Sequence, residues 1–112
     1  MIVEMRKYEL QLGYDTVPKF LDIYGALSSK LKTTAPTTEL ATVLVNEVGR
    51  LNCVYEIWKH GGPGECGFNA MESSRKSARE ASEWRSAIAD IAELALTFNT
   101  TIMRPLEFSP IK

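Results

Sequence analysis

Residues 39–60, ELATVLVNEVGRLNCVYEIWKH, limit the possible folds more than any other stretch of the chain. Two apolar, β-branched segments flank Gly49-Arg50, and a glycine at the first central position suits a two-residue type II′ turn, whose twist matches that of the strands it joins. The pattern predicts a β-hairpin. Val48 then faces Leu51, Glu47 faces Asn52, Val45 faces Val54, Val43 faces Glu56 and Ala41 faces Trp58. Alternation puts Leu40, Thr42, Leu44, Asn46, Leu51, Cys53, Tyr55 and Ile57 on one face, and Ala41, Val43, Val45, Glu47, Asn52, Val54, Glu56 and Trp58 on the other. Both faces are apolar in the middle. A sheet with one solvated face would alternate cleanly with polar residues, so this hairpin needs cover on both sides.

The flanking chain supplies the cover. Residues 2–10 are rich in strand formers, with Ile2, Glu4, Arg6 and Tyr8 on one face and Val3, Met5 and Lys7 on the other. After Gly13, Asp15 or Thr16 can cap a helix that accepts Pro18 in its first turn and carries Val17, Phe20, Leu21, Tyr24, Leu27 and Leu31 on one side, ending near Lys32. Residues 33–38, TTAPTT, read as a surface connection, and GGPGECG after His60 reads as a loop without the spacing of a phosphate-binding loop. Residues 68–81 are helix-prone. A second piece of this helical region follows from Ser82 as its cap, with Trp84, Ile88, Ile91 and Ala95 on one face. Residues 96–108 return to strand character, and Pro105 places them at a sheet edge or a strand end.

Strand, helix, strand, strand, helix, strand is the ferredoxin-like βαββαβ order: an α+β fold with helices on one face of a four-stranded antiparallel sheet. The 112 residues form a single domain, 1–112. Two amphipathic helices cover one sheet face only, which leaves the other, expected to carry Trp58, Val54, Val45 and Val43, as an exposed apolar patch. Burying it favours association, so the expected assembly is a homodimer through the open sheet face, a dimeric α+β barrel.

A net charge of -1, pI near 5.8 and scattered basic residues argue against nucleic acid and an anionic membrane surface as partners. No apolar run reaches membrane-spanning length, and charges at Glu4, Arg6 and Lys7 occupy the place of a signal peptide's apolar core. The two cysteines, Cys53 and Cys66, lack metal-ligand spacing and read as free thiols. The expectation is a cytoplasmic protein without metal or cofactor and without membrane insertion.

The face assigned to the open side also carries Glu47, Asn52 and Glu56, and neighbouring strands can add Glu4, Arg6, Tyr8 and Arg104. Such residues are costly to bury unless paired. One reading is a polar pocket, between sheet and helices or inside the dimer, where Arg6 or Arg104 binds an anionic or carbonyl group and Glu56 serves as acid or base. The other is an ion-paired network that fixes strand register and dimer specificity. The candidate site is therefore Arg6, Tyr8, Glu47, Asn52, Glu56, Trp58 and Arg104, with Glu56 the candidate catalytic residue. Trp58 is read first as an interface anchor. His60 reads as a solvated turn residue, Trp84 as core, and Arg75, Lys76, Arg79 and Arg85 as a solvated helix face. There is no catalytic triad spacing, nucleophile elbow or dinucleotide fingerprint.

The opening MIVEMRKYEL-QLG, the hairpin VNEVGRLNCVYEIWKH, the stretch SEWRSAI and the ending MRPLEFSP together resemble the NIPSNAP family of the dimeric α+β barrel superfamily. Glu47, Gly49, Asn52, Trp58, Trp84, Pro105, Leu106, Ser109 and Pro110 stand at matching positions. Glu56 stands where the family commonly has His, and Ala81-Ser82 where it has Asp-Pro. The resemblance implies a ferredoxin-like subunit in a dimer and names no reaction. Three functions stay in view: a domain that binds a small molecule or protein partner in a barrel pocket; a small cofactor-independent enzyme, monooxygenase- or isomerase-like, acting on an aromatic or carbonyl compound; or a purely structural interaction module.

Overall fold

The computed structural model describes residues 1–28 and 37–110. The expected end of the first helix near Lys32, with Leu31, and most of the TTAPTT connection lie outside the described residues. The elements are β1 (Ile2–Leu10), α1 (Thr16–Ser28), β2 (Thr38–Val45), β3 (Cys53–His60), α2 (Gly67–Glu80), α3 (Ser82–Leu94) and β4 (Ala95–Met103). The four strands form one antiparallel sheet in the order β2-β3-β1-β4, the ferredoxin-like arrangement. The second crossover is two helices rather than one. Ala81 between them has extended backbone, φ -84° and ψ 119°, and it occupies the cap position expected for Ser82.

β1 and β3 lie side by side at the sheet centre, with Tyr8 opposite Val54, Arg6 opposite Glu56, Glu4 opposite Trp58 and Ile2 opposite His60. These side chains share a face, and α1 and α3 cover it. Phe20, Tyr24 and Leu27 from α1 and Trp84, Ala87 and Ile91 from α3 pack with Tyr8, Leu10, Val54 and Trp58 into one core. Within α3, Ala87 takes the buried place expected for Ile88, whose side chain is half exposed.

The covered face is the one the hairpin pattern left open. Trp58 is 2% exposed and belongs to the core, not to an open interface. A hairpin apolar on both sides does not itself select a face; β1 does, because Ile2, Tyr8 and Leu10 align with Val54 and Trp58 and give the helix aromatics the larger surface to bury. The opposite face carries Val3, Met5, Tyr55, Ile57 and Leu44.

Two local features also depart from the ideal hairpin. The strands stop at Val45 and Cys53, so Val48–Leu51 and Glu47–Asn52 are not ladder pairs. Loop 46–52 closes instead through Asn46, whose Nδ2 donates to the Arg50 carbonyl at 2.7 Å, and through positive φ at Gly49 and Asn52. Beyond the expected pairs of Val45 with Val54 and Val43 with Glu56, a bulge at Ala41 brings Leu40 opposite Trp58. Leu40 and Val43 therefore both pack against the core. β4 stops before Arg104 and Pro105. Among the described residues no helix is long and apolar enough to cross a membrane.

Candidate functional site

The β1–β3 register gathers three ionisable groups that water does not reach: Glu4 and Glu56 at 0% exposure and His60 at 1%. Glu4 is ringed by donors. Arg6 Nη2 donates to Oε1 at 3.2 Å and Arg75 Nη2, from α2, donates to Oε2 at 3.1 Å. Arg6 Nε lies 3.1 Å from Oε2 but off the line of a hydrogen bond. His60 Nε2 is 2.9 Å from Oε1, and its Nδ1 is 3.0 Å from the Thr38 hydroxyl. Because a carboxylate only accepts, Nε2 carries the proton in that contact. Burial pushes the Glu4 carboxyl up, but the His60 hydrogen bond and the Arg6 and Arg75 guanidiniums outweigh it and hold the group at about 2. Glu4 is a buried anion.

Glu56 is held differently. Its Oε2 accepts from the Tyr24 hydroxyl and from Trp58 Nε1, both at 2.8 Å, with Arg6 Nη1 at 4.0 Å. Its Oε1 is buried without a hydrogen-bond partner among the described residues. Burial raises the Glu56 carboxyl above the usual carboxylate range, and Trp58, Arg6, Tyr24 and Tyr8 offset that only in part. Burial and the neighbouring Glu56 charge also raise the Tyr8 and Tyr24 phenols, so both stay protonated at neutral pH. For Arg6 burial works against the charge, but Glu4 and Glu56 outweigh it and keep the guanidinium cationic. That cation lies 5.1 Å from the centre of the Trp58 ring.

A cleft opens over this cluster between the sheet and the helices. One cavity, of about 480 Å³, is walled by Arg6, Tyr8, Tyr24, Trp58, Arg75 and Trp84 among others. A second, of about 500 Å³, lies toward β4 and is walled by Glu4, Arg6, Tyr8, Arg75, Leu96 and Phe98 among others. A larger surface groove of about 760 Å³ runs between the glycine loop 61–64 and residues 104–107. It shares no lining residue with the two cavities over the buried charges.

Of the residues singled out in the sequence, Arg6, Tyr8 and Trp58 line the cleft, and Glu56 sits behind them, bonded to Tyr24 and Trp58. Glu47 lies exposed in loop 46–52. Asn52 is a structural tie, with Nδ2 donating to the Gln11 carbonyl at 2.8 Å. Arg104 is exposed in the groove beyond β4. His60 is not a solvated turn residue, and Arg75 is not part of a merely solvated helix face, since both bond Glu4. Tyr24 joins them from α1. The alternation of β3 carried the signal for His60: it shares parity with Val54, Glu56 and Trp58. Among the described residues no group of three or more His, Cys, Asp or Glu is placed to hold a metal ion.

A four-stranded antiparallel sheet with helices on one face and a cleft over a buried ionic cluster defines a ferredoxin-like α+β domain. The NIPSNAP family model matches residues 3–110, and the chain belongs to that family. A NIPSNAP domain protein from Burkholderia xenovorans superposes with a TM-score of 0.76 at 24% identity, over 98% of this chain and 99% of that one. A NIPSNAP family protein of unknown function from Agrobacterium tumefaciens does so with a TM-score of 0.78 at 24% identity, over 100% and 94%. An antibiotic biosynthesis monooxygenase superposes with a TM-score of 0.67 at 10% identity, over 95% and 99%. At these identities the likeness establishes the shared fold. Among curated proteins nothing matches.

Proposed function

We propose that this NIPSNAP domain is a homodimer that binds a small organic anion with an apolar body in the cleft between sheet and helices. The carrying observation is the convergence of Arg6 and Arg75 on one carboxylate beneath an apolar-walled cavity of about 480 Å³. A guanidinium has five N–H donors, so two of them offer more than Glu4 can accept, and the surplus suits an oxyanion. Arg79 and Arg85 at the rim add positive charge, while Leu27, Trp58, Trp84 and Ile91 supply apolar wall.

The test is isothermal titration with 1-naphthoate and its uncharged counterpart 1-naphthamide. Naphthoate should bind the wild type about tenfold tighter than the amide, the worth of one charge-assisted hydrogen bond, and Arg75→Gln should erase that difference. No naphthoate binding by the folded protein at millimolar concentration would end this reading.

The dimer is supported by the apolar residues Val3, Met5, Leu44, Tyr55 and Ile57 on the sheet face that no described helix covers. Free Cys53 and Cys66 fit a cytoplasmic, reducing setting.

The Glu56 carboxyl supports a second reading, a cofactor-independent enzyme on an aromatic or carbonyl compound, in keeping with the monooxygenase among its structural neighbours. Glu56 does not line the cleft, so it would act through Tyr24 as a positioning residue and proton store. Glu56→Gln should then abolish turnover while leaving folding and naphthoate affinity intact; surviving turnover would remove Glu56 from any mechanism.

A further inference from the structure

The two cavities over the buried cluster share walls and form the two lobes of the proposed binding cleft. Arg6, Tyr8, Arg75, Ile88 and Ala92 belong to the walls of both, so the lobes meet where the two guanidiniums converge on Glu4. Away from that junction, Leu27, Trp84 and Ile91 wall the first lobe, and Ala95, Leu96 and Phe98 wall the second. A row of aromatic rings links the walls of the two lobes through the buried Phe20 of α1. Phe98 lies 4.9 Å from Tyr8, Tyr8 lies 5.0 Å from Phe20, Phe20 stacks on Tyr24 at 5.7 Å, and Tyr24 meets the Trp58 edge at 6.4 Å. Arg6 and Arg75 thus sit where the two lobes meet, with largely apolar walls on either side and Arg79 and Arg85 exposed at the rim of the first.

We infer that the ligand carries its anionic oxygen inboard, between two apolar or aromatic arms that enter the two lobes. A ligand with its charge at one end could place that charge on Arg6 and Arg75 only by leaving one lobe empty. An inboard carboxylate flanked by two rings fills both, and its rings meet Trp84 in the first lobe and Phe98 in the second by the offset or edge contacts such rings favour. The inference rests on the reading that the cleft binds organic anions and adds the shape of the anion.

Two carboxylates of equal charge and similar apolar content separate the cases. Diphenylacetate has its carboxylate between two phenyl rings, and biphenyl-4-carboxylate has it at one end. Titration calorimetry should give diphenylacetate at least about tenfold the affinity of biphenyl-4-carboxylate. Phe98→Ala, at a half-exposed position, should weaken diphenylacetate severalfold and leave biphenyl-4-carboxylate unchanged. Equal affinities, or tighter binding of the biphenyl acid, would overturn the two-armed shape and leave anion binding standing. Failure of both acids to bind the folded protein would overturn anion binding as well. If Phe98→Ala is misfolded by circular dichroism, Phe98→Leu, which keeps apolar bulk without the ring, takes its place with the same expected order.

Discussion

Glu4 and Glu56 are both carboxylates on the same covered sheet face, yet their surroundings drive them in opposite directions. Glu4 has its group held at about 2, below the ordinary 4.5, so its stabilisation is present above about pH 4.5 and is lost as pH falls toward 2. That difference is worth about 3 kcal/mol. Glu4→Gln should cost about 3 kcal/mol in urea denaturation at pH 7, because Arg6, Arg75 and His60 lose their shared anion, and the variant should show a flatter acid limb than the wild type. A loss of less than about 1 kcal/mol would mean the guanidiniums re-pair at no cost. Glu56 has the opposite sign. Its carboxyl is raised, so it favours the fold below the ordinary carboxylate range and that contribution is lost as pH rises through its raised value. Glu56→Gln keeps a carbonyl oxygen for Tyr24 and Trp58 to donate to. It should be as stable as the wild type or more so at pH 8, with the advantage shrinking at pH 4; an equal loss at both pH values would contradict this. At this scale the sequence was half legible. Arg6, Tyr8, Glu56 and Trp58 stood out as polar or aromatic residues on buried strands. Arg75 and Tyr24 did not, because their roles depend on helices docking over the sheet, a contact between residues far apart in the chain. Glu47, Asn52 and Arg104 were drawn in by assumed strand pairing that ends before reaching them.

Element order was the most legible layer, since a period of two for strands and 3.6 for helices marks each segment independently of the rest. Register was less so. Ala41 bulges out of β2 without any glycine or proline to announce it, and only the observed pairing of Leu40 with Trp58 reveals the shift. The turn failed for a similar reason: the Asn46 side chain closes a longer loop that competes with the two-residue turn at Gly49-Arg50. Two glycines test the packing of the elements. A Cβ at Gly67, the first residue of α2, would lie 2.7 Å from the Ile2 backbone nitrogen and 3.0 Å from its side chain. Gly67→Ala should therefore push α2 off β1 and cost about 1–3 kcal/mol in chemical denaturation. A Cβ at Gly25 in α1 meets nothing within 4 Å, so Gly25→Ala should stabilise the fold by about 0.5–1 kcal/mol. A neutral Gly67→Ala would show that the α2 contact yields freely.

For the whole molecule, the exchange of faces moves the proposed dimer interface to the other side of the sheet. The helices take the side with Val54 and Trp58, which leaves Met5 and Ile57, paired across β1 and β3, on the side facing away. Ile57→Lys places a charge in the proposed dimer interface while Ile57 packs under no described helix, so it should convert the dimer to a folded monomer in analytical ultracentrifugation at micromolar concentration. A wild-type protein that sediments as a monomer would contradict the dimer. On the covered side Trp58 and Trp84, the two tryptophans of the chain, both wall the cleft. The direct measurement is the ¹⁵N–¹H spectrum of the protein titrated with diphenylacetate. Both indole N–H resonances should move together with the backbone amides of Tyr8, Arg75 and Ile88, while those of Val3, Met5, Tyr55 and Ile57 stay in place. Shifts confined to the latter group, with the indoles unmoved, would contradict a binding site between the sheet and its helices.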